Sequence, residues 1–139
     1  MIQTSKSEGE TTKIAAEVAK NVEAGGIICL YGELGSGKTV FTKGIAESLG
    51  LHDFKVKSPT YTYVRVYKNF YHIDLYRLEE IDELLLHELE ELWENPNNIL
   101  VIEWADRLAE HLPPERIDVH IKYQNENMRT ISIDSLQQQ

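Results

Sequence analysis

Apolar runs too short for helices, set between segments of helical period, predict an α/β fold: three layers around a mixed parallel/antiparallel sheet. Three observations carry this. Residues 27–31 and 99–102 are apolar at nearly every position, as strands covered on both faces are. Segments with apolar residues every three or four positions lie between them. Two pairs of β-rich runs close on short turns at Lys68-Asn69 and Asn125-Glu126-Asn127, which adds antiparallel hairpins to a parallel core. With 139 residues, 42% of them hydrophobic and 27% charged, the chain reads as one domain, 1–139, around one core.

The elements follow in order. Ser7 with Glu10 forms a capping-box pattern, and Ile14, Ala15, Val18, Ala19 and Val22 then share one helical face until Gly25-Gly26. Residues 27–31 read as a buried strand, 32–39 as a glycine-rich turn, and 40–49 as a helix stopped by Gly50. Pro59 biases Ser58 away from helix, so 57–60 is a loop. Residues 61–67 and 70–76 form the first hairpin. An acidic helix over 79–93 turns Leu85, Leu89 and Leu92 inward and breaks at Pro96. A strand over 99–102 ends in Glu103-Trp104. A short helix over 105–111 stops before Pro113-Pro114, and 117–123 with 128–133 make the closing hairpin.

Charge and composition exclude several function classes. Lys and Arg number 14 against 23 Asp and Glu, a net charge of −9, which disfavours a broad nucleic-acid surface and tight direct binding of tRNA. The single cysteine, Cys29, has no internal disulfide partner, and its apolar neighbours make it a packing residue suited to a reducing cytoplasm. No apolar run approaches the ~20 residues that span a bilayer, and the N-terminus lacks a signal-peptide core. The expectation is a soluble, cytoplasmic protein without membrane contact.

Gly32-Glu33-Leu34-Gly35-Ser36-Gly37-Lys38-Thr39, leading into Val40, fits G-x-x-x-x-G-K-[ST], the Walker A pattern. Glycines let the backbone curl so that successive N–H groups face phosphate oxygens, and the following helix adds the positive end of its dipole. Lys38 is placed to reach the β- and γ-phosphates, and the Thr39 hydroxyl to ligate Mg²⁺. An ordinary glycine turn matches this pattern by chance in about 1% or less of chains this long. A strand before it and a helix after it make the context that of a P-loop NTPase-like domain. Neither D-x-x-G nor N-K-x-D follows, so adenine rather than guanine is expected, and the cofactors read as ATP and Mg²⁺.

A P-loop needs a second acid on the metal side, usually at the end of a neighbouring buried strand. Glu103, leaving the run 99–102, offers it, although a strand-end acid can also be merely solvated. Trp104 is core or a shield that keeps water from the site. Thr60, in Ser58-Pro59-Thr60, sits where a loop ordered by nucleotide can place a hydroxyl near the γ-phosphate; the plainer reading is a turn. His72, Asp74 and Tyr76 share one strand face. From spacing alone that face reads as the polar outer side of a half-buried strand; the functional alternative makes Asp74 an acid near the attacking water. His72 and Asp74 lack a third ligand at convincing spacing, which speaks against zinc. The acidic helix is a solvated face or a negative patch for a basic partner.

With these residues assembled, the sequence resembles the TsaE (YjeE) family of small bacterial P-loop ATPases. The ordered set that carries the resemblance is residues 32–39, Ser58-Pro59-Thr60, His72-Ile73-Asp74-Leu75-Tyr76-Arg77 and Ile102-Glu103-Trp104. It implies a role in making threonylcarbamoyladenosine next to the tRNA anticodon. The family binds the TsaB–TsaD complex and its ATP hydrolysis supports the transferase TsaD, so tRNA is met only through the complex. By the resemblance, Lys38 and Thr39 match the P-loop lysine and metal-binding threonine, Glu103 the metal-side acid, and Asp74 and Trp104 positions implicated in hydrolysis. Thr11 resembles a nucleotide-side threonine, and Arg129 is a candidate basic residue beside the nucleotide. Ser36 stands where alanine is common in the family, and 85–98 departs from its pattern.

A small-molecule kinase shares the P-loop but commonly closes an arginine-bearing lid, and no such insertion is visible. A nucleotide-sensing module that switches shape without hydrolysis is the third reading. Among Arg65, Arg77, Arg107, Arg116 and Arg129 none lies in an evident finger loop, which predicts weak activity alone and stimulation by the partner complex.

Overall fold

The alternation of side chains within one strand dictates the layers. The computed structural model describes residues 1–51, 64–76, 78 and 80–136. Its strands are β1 (Ile2–Ser5), β2 (Gly26–Tyr31), β3 (Val64–Tyr67), β4 (Phe70–Asp74), β5 (Ile99–Glu103), β6 (Arg116–Tyr123) and β7 (Arg129–Leu136), and its α-helices α1 (Glu8–Ala19), α2 (Lys38–Ser48) and α3 (Glu83–Glu94). Successive strand residues point to opposite faces, so a strand that is apolar throughout is satisfied only when both faces are covered. On one face α1 and α2 lay Ile14, Val18, Phe41 and Ile45 over Ile28, Leu30, Val101 and Val119. On the other, α3 and a 3-10 segment (Ala105–His111) lay Leu85, Leu89 and Leu108 over Ile27, Cys29, Leu100 and Ile102. The result is the expected three layers. Burial raises the Cys29 thiol pKa to about 12, as befits a packing residue.

The seven-stranded sheet runs β1-β7-β6-β2-β5-β4-β3. Parallel β6, β2, β5 and β4 make its centre, β3 closes one side antiparallel, and β7 and β1 close the other. The mixed sheet is thus as predicted, while β1 is an addition: four residues paired with β7, of which only Ser5 is buried. No helix among the described residues is long and apolar enough to cross a membrane.

Local differences have local causes. The Ser7 hydroxyl accepts from Glu10 N–H at 3.0 Å, while the Glu10 carboxylate accepts from Lys6 N–H, one residue ahead of the cap. Helix α1 ends at Ala19, and a 3-10 turn (Lys20–Val22) bridges to Gly25, where a Cβ would collide with Pro96 O. Helix α3 starts later than the apolar spacing indicates, because the Asp82 carboxylate accepts from Leu85 N–H at 2.8 Å and caps it there. Leu92 is only partly buried. The expected helix over 105–111 is 3-10, interrupted at Ala109 with φ 48°. Thr60 with Ser58-Pro59, Arg77 and Glu79 lie outside the described residues.

Candidate functional site

Because β2, β5 and β4 are parallel, their carboxyl ends share one edge of the sheet, where open α/β sheets bind ligands. From β2 the chain enters the glycine loop, β5 ends at Glu103, and β4 ends at Asp74 directly opposite it. The β6–β7 turn and the start of α1 reach the same edge, since β1 and β7 pair with Ser5 opposite Arg129. Together they enclose a cleft of about 590 Å³.

The loop has the backbone that a phosphate cradle requires. Gly37 caps α2 at φ 113°, a conformation costly for other residues, and supplies no side chain to the helix end. The first bond of α2 is Phe41 N–H to Gly37 O at 3.0 Å, so the amides of Lys38, Thr39 and Val40 precede it and make an anion-binding end. At Gly32 a Cβ would stand 2.6 Å from Ile121 O, which holds the loop against β6. The buried Lys38 side chain donates from Nζ to Gly32 O and to Glu33 O at 2.9 Å, and lies 4.3 Å from the centre of the Trp104 ring. Burial lowers its pKa, against the pull of Glu103, Asp74, Asp106 and Glu33.

Of the residues proposed from sequence, Thr11, Leu34, Gly35, Gly37, Lys38, Thr39, Val40, Asp74, Glu103, Trp104 and Arg129 line this one cleft. Glu33 and Ser36 do not. Glu33 lines a second hollow of about 650 Å³, separated from the cleft by Leu34, Tyr76 and Trp104. Ser36 is 1% exposed, and its hydroxyl has no hydrogen-bond partner among the described residues.

Glu103 is not a solvated strand-end acid. It is buried, in contact with His72 Nε2 and 3.4 Å from Thr42 Oγ1. His72 is buried as well, which corrects the reading of its strand face as an outer polar side: α1 and α2 roof that face, as Phe70 beside them shows. Asp74, at the rim, accepts from Tyr76 N–H at 3.0 Å. Trp104 stands at φ 60° with its N–H on Leu30 O and its ring 4.9 Å from that of Tyr76, a wall between the two hollows. Its strained backbone marks a site held in shape by its surroundings.

Two candidates act by tying elements together. Arg129 Nε donates to Ser36 O at 2.8 Å and its terminal nitrogens to Gly35 O, Asn125 O and Met128 O, fastening the β6–β7 turn to the glycine loop. Ser5 donates to Ser7 O, so in its 2.6 Å contact with Thr11 the threonine hydroxyl is the donor, joining β1 to α1. Sequence reasoning missed Tyr76, Glu126 and Asn127 as lining residues and Thr42 beside Glu103. For the turn pair the only signal is topology, because 93 residues separate Arg129 from Ser36.

Among the described residues no three His, Cys, Asp or Glu side chains form a metal cage. Thr39 and Glu103 on one cleft instead suit Mg²⁺, which takes one or two protein oxygens and completes its shell with phosphate and water.

The family model described as "Threonylcarbamoyl adenosine biosynthesis protein TsaE" matches residues 5–131. The tRNA threonylcarbamoyladenosine biosynthesis protein TsaE of Bacillus subtilis is 37% identical over 131 residues, 91% of this chain and 80% of that one. That of Rickettsia typhi is 33% identical over 136 residues, 95% of this chain and 93% of its own. The crystal structure of Bacillus subtilis YdiB superposes with a TM-score of 0.73 at 30% identity, over 99% of this chain and 86% of that one. The glycine loop and its facing acid therefore sit in a shared fold as well as a shared sequence, and the chain belongs to the TsaE family of threonylcarbamoyl adenosine biosynthesis proteins.

Proposed function

We propose that this chain binds ATP with Mg²⁺ and hydrolyses it as the ATPase subunit that supports a TsaB–TsaD complex in forming N6-threonylcarbamoyladenosine in tRNA, next to the anticodon. The observation that carries the reading is the convergence of Lys38, Thr39 and Glu103 on one cleft at the carboxyl edge of the sheet. The tRNA-modification role is supported by the family and by the names of its members; the TsaB–TsaD partnership is what the resemblance of the motifs implies.

In this reading the amides at the start of α2 receive the phosphates, and Lys38 exchanges its loop carbonyls for the β- and γ-phosphate oxygens. Bound Mg²⁺ would neutralise charge on those oxygens; Thr39 and Glu103 would hold it. Asp74 orients water at the rim, and Trp104 keeps bulk water from the phosphate end. Arginines 107, 116 and 129 are held by Leu78 O, by Asp118 and by the loop carbonyls. A transition-state arginine is worth about 10³- to 10⁵-fold in such enzymes; with these three engaged elsewhere, slow turnover of the isolated chain and stimulation by the partners are the expected behaviour. A net charge of −9 fits contact with tRNA through the complex, in the cytoplasm, rather than by this chain.

Phosphate release from Mg·ATP, measured with and without TsaB–TsaD, tests the proposal. The expected result is slow release that rises at least about tenfold with the pair. Fast release indifferent to partners, or bound ATP with no stimulation, overturns it; transfer of the γ-phosphate to an acceptor other than water would turn the reading to a kinase.

A further inference from the structure

His72 and Glu103 belong to neighbouring parallel strands whose register sets Asp74 opposite Glu103 and His72 opposite Val101. His72 precedes Asp74 by two residues, so it projects on the same sheet face as Glu103 and diagonally from it. That face is roofed by α1 and α2, and the two side chains are 4% and 5% exposed. Their Nε2 and Oε2 atoms are in direct hydrogen-bond contact. Thr42 also approaches Oε2, at 3.4 Å, but its one hydroxyl hydrogen goes to Lys38 O at 2.9 Å. His72 is thus the close donor to Oε2. Glu103 also lines the cleft, so one carboxylate joins a buried partner on Oε2 to the site.

We propose that His72 is a positioning residue: it fixes the Glu103 carboxylate in the one orientation that holds a divalent cation opposite Thr39. The inference rests on the Mg·ATP reading of the cleft and goes beyond it by assigning a task to a buried side chain that no step of hydrolysis uses. A carboxylate on a flexible stem loses orientation once its inner partner is removed, and partners of this kind typically change metal affinity by about 10- to 100-fold.

The test compares His72→Ala and His72→Gln with the unaltered chain, using Mn²⁺ as a paramagnetic probe together with a non-hydrolysable ATP analogue. Nucleotide affinity without metal is measured alongside. His72→Ala is expected to weaken Mn²⁺ binding about 10- to 100-fold. His72→Gln, whose Nε2–H extends toward the same oxygen, recovers most of it, and metal-free nucleotide affinity changes less than about twofold in both. In a Glu103→Gln background His72→Ala adds no further loss, since both changes remove one coupled unit. The proposal is overturned if both single variants bind Mn²⁺ within about twofold of the unaltered chain, or if metal-free nucleotide affinity falls in step with metal affinity. Should His72→Ala not fold, His72→Leu, which fills the space without a donor, takes its place: a loss of Mn²⁺ affinity that His72→Gln does not share supports the assignment, and near-normal affinity in His72→Leu overturns it. An unaltered chain that binds no Mn²⁺ with the nucleotide refutes the reading of the cleft itself, a different failure from one confined to His72.

Discussion

Glu103 and Asp74 are two acids at the same level of adjacent parallel strands, and the fold treats them differently. Glu103 lies under α2 with His72 and Thr42 on its inner oxygen. Asp74 is half-buried at the rim, and its Oδ1 accepts the Tyr76 N–H in a local turn. The strand position is the same; what packs over it is not. A buried carboxylate with a fixed partner has one orientation and little water, as a metal-side ligand needs, whereas a rim carboxylate can meet both solvent and phosphate. The difference teaches that two acids level on adjacent strands are set apart by what packs over them: here Glu103 is gripped by a buried partner, His72, and Asp74 stays at the rim.

The largest effect should come from removing what the two acids share. Both act on Lys38, raising its pKa against burial. Lys38→Ala leaves the two carboxylates without their common cation and the phosphates without theirs. Hydrolysis should fall about 10³-fold, with nucleotide affinity reduced as well, read by phosphate release and equilibrium binding. A variant that kept a tenth of the normal rate would show that the acids work without the lysine.

Glu103→Gln and Asp74→Asn then separate the acids. Glu103→Gln should cut turnover about 10²-fold while metal-free nucleotide binding holds. It also replaces a charged acceptor beside His72 by a neutral one, so denaturant unfolding should show a loss of about 1 kcal/mol. Asp74→Asn keeps an oxygen for the Tyr76 N–H and should leave stability within about 0.5 kcal/mol, with turnover down about tenfold. If the asparagine variant proved the less stable or the slower of the two, the assignment of the gripped and the rim acid would be reversed.

The gripped acid was legible in the sequence and its grip was not. Residues 99–103 form one contiguous apolar run ending in an acid, and residues 32–39 one contiguous loop, so local order alone exposes them. Period two placed His72 on the same face as Asp74 but could not say that helices cover that face; Phe70, two residues earlier and also buried there, was the available sign. β1 escaped because a four-residue strand burying only Ser5 carries no hydrophobic period. Arg129 could be named as a candidate, yet its bonds to Ser36 O and Gly35 O depend on pairing between the chain's two ends, which no local window contains. In the 3-10 segment, Ala105–His111, the residue types favour helix while the Trp104 and Ala109 backbone angles break it.

The smallest effect concerns a polar group buried in the same neighbourhood without a grip. Glu103 is tolerated in the interior because His72 satisfies it, whereas the Ser36 hydroxyl, 1% exposed, has no partner among the described residues. Burying an unpaired hydroxyl costs about 1–3 kcal/mol, part of which the surrounding packing returns. Ser36→Ala removes the oxygen and leaves the loop backbone intact, including the carbonyl that receives Arg129. Thermal or denaturant unfolding should therefore show no loss and a gain of up to about 1 kcal/mol, with nucleotide affinity unchanged. A destabilised Ser36→Ala chain would mean that the hydroxyl does have a partner, and that burial with and without a grip does not divide the polar groups of this edge.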